Sequence, residues 1–135
     1  TRVPVLLGAI GPKSLAVAGE FADGVLLDSD FTVEGARDSV AACLAARAAA
    51  GITDPFEAAL YQRFYRGVDA TAELQREARP GGIAAGITSG AADVAERVRE
   101  MAEVGVGTVV LMPSATESDP ADYLRFAAKD VAPLV

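Results

Sequence analysis

The chain has 135 residues, 51% hydrophobic, 23% charged and 6% aromatic, a balance that excludes disorder and fits one globular domain or part of one. Twelve Lys and Arg against 19 Asp and Glu leave a formal charge of -7, which opposes binding to nucleic-acid phosphates or anionic membranes. One cysteine, Cys43, and no histidine exclude an internal disulfide and a zinc-type ligand cluster, so a cytoplasmic protein without a metal is expected.

No apolar stretch approaches the roughly 18 residues of a membrane helix, and the start lacks the charged and apolar regions of a signal peptide. The chain opens without methionine and runs at once into Val3 to Leu7, an apolar run closed by Gly8, as though it begins inside a domain. Such a run predicts a strand covered on both faces. Ser14 to Phe21 sets Leu15, Ala18 and Phe21 or Ala22 at helical spacing, and Asp23-Gly24 leads to a second buried strand, Val25 to Leu27. After the polar loop Asp28 to Phe31, Thr32 can cap a helix from Val33 to about Ala50, with Gly51 at its C-terminal turn and Cys43 as a small core residue.

Phe56 to Tyr65 alternates and predicts a third, longer strand, on which Tyr61, Arg63 and Tyr65 share one face and Gln62 lies on the other. Ala70 to Arg79 reads as helix and Pro80 to Gly90 as loop. Ser89 or Gly90 opens a helix with Val94, Val98 and Met101 on one face, ending before Gly105. Thr108 to Met112 is a fourth strand, closed by Pro113. Asp119-Pro120 caps a last helix whose expected inner stripe is Tyr123, Leu124, Phe126, Ala127 and Val131.

Strands alternating with helices predict an α/β fold with a parallel sheet, leaving an open flavodoxin-like doubly wound sheet or a segment of a closed (β/α)8 TIM barrel. A whole barrel takes ~250 residues, so 135 residues supply about half of one.

Two segments separate these architectures. Pro4-Val5-Leu6-Leu7-Gly8-Ala9-Ile10-Gly11-Pro12-Lys13-Ser14 through Ala18-Gly19-Glu20-Phe21-Ala22-Asp23-Gly24-Val25-Leu26-Leu27 resembles the luciferase-like monooxygenase family, of the bacterial luciferase and F420-dependent methylenetetrahydromethanopterin reductase type. Ala92 to Pro113 is similar to the last βα units of the same family, and Val68 to Thr88 matches least. The resemblance implies the C-terminal half of a (β/α)8 barrel, with residues 1–135 as a single partial domain. It implies an oxidoreductase, a flavoprotein monooxygenase or a hydride-transfer reductase, that uses F420 or FMN in the barrel mouth. F420 is preferred on the high alanine content. The fragment alone is expected to be inactive, and its partner is the missing N-terminal half-barrel or a second copy, as a homo-oligomer.

The loop Gly8, Ala9, Ile10, Gly11 and Pro12 joins a strand to a helix, where backbone amides and the helix dipole can receive an anion; on local sequence alone a tight βα turn with Pro12 at the first helical position is the favoured explanation. The resemblance assigns its backbone to the phosphate-bearing tail of the cofactor, with Lys13 available to neutralise charge. Asp28 and Ser29 follow the second strand and so lie at the C-terminal face, where this architecture builds its sites. Asp28 and Phe31 stand where some relatives carry a hydroxyl residue and a lysine, which disfavours a sugar-phosphate substrate. Arg63 could meet phosphate or carboxylate, or simply a neighbouring acid. No catalytic residue can be assigned: no triad assembles, and the cofactor does the ring chemistry in such enzymes. The non-catalytic alternatives are a half-barrel association module and a small flavodoxin-like phosphate- or nucleotide-binding domain.

Overall fold

The computed structural model describes residues 2–67, 69–78, 86–88 and 90–135. In chain order the elements are β1 (Leu6–Gly8), α1 (Pro12–Phe21), β2 (Gly24–Leu27), α2 (Val33–Ala49), β3 (Glu57–Arg63), α3 (Ala70–Glu77), α4 (Ala91–Glu103), β4 (Thr108–Met112) and α5 (Pro120–Phe126). After α5 the chain widens into a π-helical stretch, Ala127–Val131, and ends in a 3-10 turn, Ala132–Leu134. The four strands form one parallel sheet in the order β1-β2-β3-β4. An open doubly wound sheet reverses its strand order at a switch point and carries helices on both faces, so sequential order excludes that alternative. It is the arrangement of a barrel segment.

Register decides what each face carries. Leu7 stands opposite Val25, Val25 opposite Ala58, Leu27 opposite Leu60 and Leu60 opposite Val109, so these side chains share one face. That face packs under Leu15 and Ala18 of α1, Ala36, Val40 and Cys43 of α2, and Met101 of α4. Further along it, Phe64 and Leu111 join Ile87, Val94, Tyr123, Phe126 and Val131 in a second core. Leu6, Leu26, Tyr61, Val110 and Met112 alternate onto the opposite face and remain half-buried or exposed.

Two features hold the helix layer to itself. Gly19 lets α1 approach α2 until a Cβ placed there would lie 2.2 Å from the Cys43 carbonyl oxygen. Arg47, 7% exposed, donates from Nε to the Asp54 carbonyl, from one terminal nitrogen to Gly19 and Ala22, and from the other to Pro55, at 3.1 to 3.3 Å. Its guanidinium also lies 5.2 Å from the Phe56 ring centre. No carboxylate is among these contacts; carbonyl dipoles and an aromatic face offset the cost of burying the cation.

Several boundaries differ from the expected ones. The first strand is Leu6–Gly8, not Val3 to Leu7, and Val3 and Val5 are 76% and 60% exposed. At this edge the Val5 backbone bonds to Asp23, through its carboxylate and its amide, and the β-branched run stays outside the sheet. The third strand begins at Glu57 and stops at Arg63; beyond it the Phe64 amide still donates to Met112 of β4, and Phe64 forms an isolated parallel bridge with Ile87, whose amide donates to Arg63 and whose carbonyl accepts from Tyr65. Leu124 is 67% exposed: it follows the buried Tyr123 by one residue, about 100° round the helix, so both cannot face inward. Thr32 caps α2 through Gly35 as expected, and Gly51 has φ +71 at its end. The expected helix end at Arg79 and most of the loop from Pro80 to Gly90 lie outside the described residues.

Two consequences are measurable. Gly19→Ala gains roughly 1 kcal/mol of helix propensity, but its Cβ meets a backbone oxygen that cannot swing away, so a net loss of about 1–3 kcal/mol is expected. Gly8→Ala, where nothing lies within 4 Å, serves as the control in the same urea titrations. Tyr123 is buried with no hydrogen-bond partner for its hydroxyl among the described residues, and burial, only partly relieved by Arg66, pushes its pKa up to about 12. Its folded pKa lies above the unfolded value of 10.0, so the stability it contributes is complete below pH 10 and lost as pH rises towards 12. The loss is roughly 2–3 kcal/mol. Tyr123→Phe should flatten that alkaline decline and cost little at pH 7, since it removes an unsatisfied group.

Candidate functional site

Parallel strands bring their C-terminal ends to one rim, and the loops leaving β1, β2 and β3 meet there. Gly8, Ala9, Ile10, Leu26, Leu27, Asp28 and Tyr61 line an open hollow of about 280 Å³. Most of the lining is apolar; Asp28 and Tyr61 supply the polar corners. Gly8 ends β1 with no atom within 4 Å of where a Cβ would sit, so its lack of a side chain keeps the hollow open.

The loop above the hollow is shaped by Ser14. Its Oγ accepts from the amides of Ile10 and Gly11 at 3.3 and 3.2 Å and donates to the Gly11 carbonyl at 2.9 Å. The Ala9 amide donates to Leu26 at 3.3 Å, tying the loop to β2. Three amides expected to face an anion therefore have internal partners, and the Ser14 hydroxyl oxygen sits where two of them converge. Pro12 occupies the first turn of α1, and Lys13 next to it is exposed, with no ion pair to any of the described residues.

Asp28 and Ser29 are adjacent but differ in role. The Asp28 Oδ1 accepts from the Ser29 amide at 2.6 Å and from its hydroxyl at 3.2 Å, and Ser29 is buried. Ser29 thus orients Asp28 and does not line the hollow.

Arg63 belongs to a different cluster. It donates to the Glu77 carbonyl at 3.0 Å and lies 3.7 Å from that residue's carboxylate, which also accepts from the Tyr65 hydroxyl at 3.0 Å. Burial first, then the bond to Glu77, raises the Tyr65 pKa and keeps the phenol protonated. The second Glu77 oxygen takes the Ala115 amide at 2.7 Å, so one carboxylate joins β3, α3 and the loop after β4. Arg63 thus meets the neighbouring acid, Glu77.

A further cleft of about 490 Å³, lined in part by Arg66, Glu73, Glu117 and Asp122, stands beside this cluster. Arg66 bonds to Glu117 at 3.1 Å and Asp122 at 2.9 Å, with its guanidinium 5.5 Å from the Tyr123 ring centre. Burial pulls its pKa down, but hydrogen bonds to the two carboxylates outweigh this and raise it. Nothing in the sequence marks Arg66, because its partners lie 51 and 56 residues away. Among the described residues no group of three or more acidic, Cys or His side chains is placed to hold a metal, and no helix is long and apolar enough to cross a membrane.

No family model and no curated protein matches the sequence. Solved structures do. An F420-dependent tetrahydromethanopterin reductase from Methanopyrus kandleri superposes with a TM-score of 0.77 at 18% identity, over 97% of this chain and 50% of that one. An F420-dependent secondary alcohol dehydrogenase, in complex with an F420-acetone adduct, superposes with a TM-score of 0.80 at 16% identity, over 100% of this chain and 49% of that one. The chain spans about half the length of the structures it matches. Both have the luciferase-like TIM-barrel fold, and the four βα units described here carry one half of that architecture, as the two sequence motifs imply.

Proposed function

We propose that this chain is the C-terminal half of an F420-dependent oxidoreductase and supplies one wall of its cofactor site. The observation that carries the reading is the hollow: it lies at the C-terminal rim of a barrel segment, where this fold builds its sites, and is bounded by the loop that the sequence motif singles out. The two solved neighbours act with F420, which favours it over FMN. When bound, such a cofactor supplies the hydride chemistry itself. The residues of this chain hold and orient it. Gly8 admits it, Ala9 and Ile10 give an apolar surface, and the start of α1, with Gly11, Pro12 and Lys13, favours its anionic end. An anion arriving there competes with the Ser14 hydroxyl for the Ile10 and Gly11 amides.

A hollow of about 280 Å³ falls below the roughly 300–1,000 Å³ of complete ligand sites. The remaining wall, the exclusion of water and the small-molecule substrate's contacts therefore belong to another half-barrel, and this chain alone turns nothing over. The protein works in the cytoplasm, where its single buried thiol, Cys43, stays reduced.

Titration with F420 and with FMN, followed by cofactor fluorescence, tests this. Saturable F420 binding is expected, and Gly8→Val, which grows into open space, should abolish it without lowering the melting temperature. Failure of both cofactors to bind overturns the reading.

A second reading, a half-barrel association module, draws on the uncovered sheet face. Leu6, Leu26, Tyr61, Val110 and Met112 lie there, and β1 and β4 are both edges of the described sheet. Two copies related by an axis along the strands would place β4 of each beside β1 of the other, with all strands parallel. Sedimentation at micromolar concentration should show a dimer or larger species; a monomer removes the homo-oligomer.

A further inference from the structure

Large apolar side chains stand exposed on the first and last helices. Phe21 and Val17 of α1 are 80% and 46% exposed, and Leu124 of α5 is 67% exposed. Neighbouring contacts fix their directions. Gly19 faces α2, and Val17 and Phe21, each two residues from it, lie about 160° round the helix, on the side where a preceding βα unit would stand. On α5, Asp122 bonds to Arg66, just beyond β3, and so faces the earlier units. Leu124, two residues on, points about 160° away, to where a following unit would stand, and the exposed Ala128 lies one turn beyond it. In a ring of two copies these two places coincide.

Strand register agrees. The row through Leu7, Val25 and Ala58 reaches Gly107, one residue before β4, whose amide donates to Ala58 at 2.9 Å. An eight-stranded barrel has a shear of eight, so two equal halves climb four residues each. Leu111 stands that far above Gly107, which sets Leu7 of a second copy beside Leu111 and its Val5 beside Val109. By alternation all of these face the helices, where Val98, Val109, Leu111, Val131 and Val135 border an apolar groove of about 410 Å³. Charge agrees too. Helices that return from parallel strands run parallel to one another, so Glu20 near the end of α1 comes level with Lys129 just after α5. Both are exposed and make no ion pair among the described residues.

We infer that a second copy of this chain closes the ring through a seam of outer helices. Val17 and Phe21 of its α1 seat on Leu124 and Ala128, Glu20 pairs with Lys129, and Val5 joins the sheet beside β4. The inference rests on the association reading and deepens it, since it names the surfaces that meet. It also gives the exposed β-branched run Val3 to Val5 a partner strand, and a twofold axis makes every contact twice.

Oxidative cross-linking tests it. Val17→Cys with Leu124→Cys on one chain should give a covalent dimer on a non-reducing gel. Either substitution alone should not, because each residue faces the other kind across the seam; Cys43 is buried and does not compete. Phe21→Glu should raise the dimer dissociation constant at least about tenfold in sedimentation, the worth of one large apolar side chain. Phe21 is so exposed that this substitution leaves the fold of one copy intact. A dimer that yields no covalent product, that the single variants cross-link equally well, or that Phe21→Glu leaves unchanged overturns the seam while the association reading stands. A folded chain that stays monomeric overturns both and leaves these surfaces to a different half-barrel.

Discussion

Each strand of this chain is laid beside the one before it, in the same direction and on the same side, and the structure's other properties derive from that constraint. Parallel neighbours need a crossover, and crossovers that keep one hand while advancing one strand at a time deposit their helices on a single face. The cores follow: Val25, Leu27, Ala58, Leu60 and Leu111 are covered by helices, while Leu26, Tyr61 and Val110 are not. In a doubly wound sheet both faces are closed and a ligand finds only the crevice at the switch point. Here a whole face is left over, and its C-terminal margin carries the hollow.

The two rims of the sheet are fastened differently. Towards the N-terminal ends, Arg47 ties the end of α1 to the α2–β3 connection through carbonyls alone, and Gly19 brings the two helices into backbone contact. These contacts have no titratable partner and no room to adjust, so they resist deformation and offer nothing to a ligand. Towards the C-terminal ends, the joints are charged side chains: Glu77 links β3, α3 and the loop after β4, and Arg66 links Glu117 to Asp122. Such pairs exchange partners at modest cost when partly exposed. Stability is thus concentrated at one end of the strands and adaptability at the other.

The elements that could be read in the sequence were those whose cause is local. Thr32 and Gly51 bracket α2 because a hydroxyl cap and a left-handed glycine act within a few residues. Gly11-Pro12 opens α1 for the same reason. The failures depended on distant atoms. Val3 and Val5 have strand chemistry but lie exposed at the sheet's margin, where the Val5 backbone bonds to Asp23, and Leu124 has core chemistry but the wrong angular position. At the site, loop 8–11 was legible as a turn, whereas the engagement of its amides by Ser14 depends on a single side-chain rotamer. The placement of Asp28 and Tyr61 on one hollow required the pairing of β2 with β3, which no local pattern encodes.

That pairing also orders charge along the rim. Asp28 places a negative group at the hollow, and the start of α1 adds the positive end of a helix dipole and the exposed Lys13 beside it. An uncharged ligand feels little of this field, whereas a ligand with one anionic end is turned by it: reversing the molecule would bring phosphate to a carboxylate and leave the helix terminus with nothing to receive. Opposite charges near a protein surface interact by a few kcal/mol at contact and less with distance, which is enough to choose between two orientations though not to hold a ligand alone. Orientation can therefore be set by this half of a barrel, while the exclusion of water requires a facing wall. A site divided in this way presents its reactive portion to whatever completes the ring.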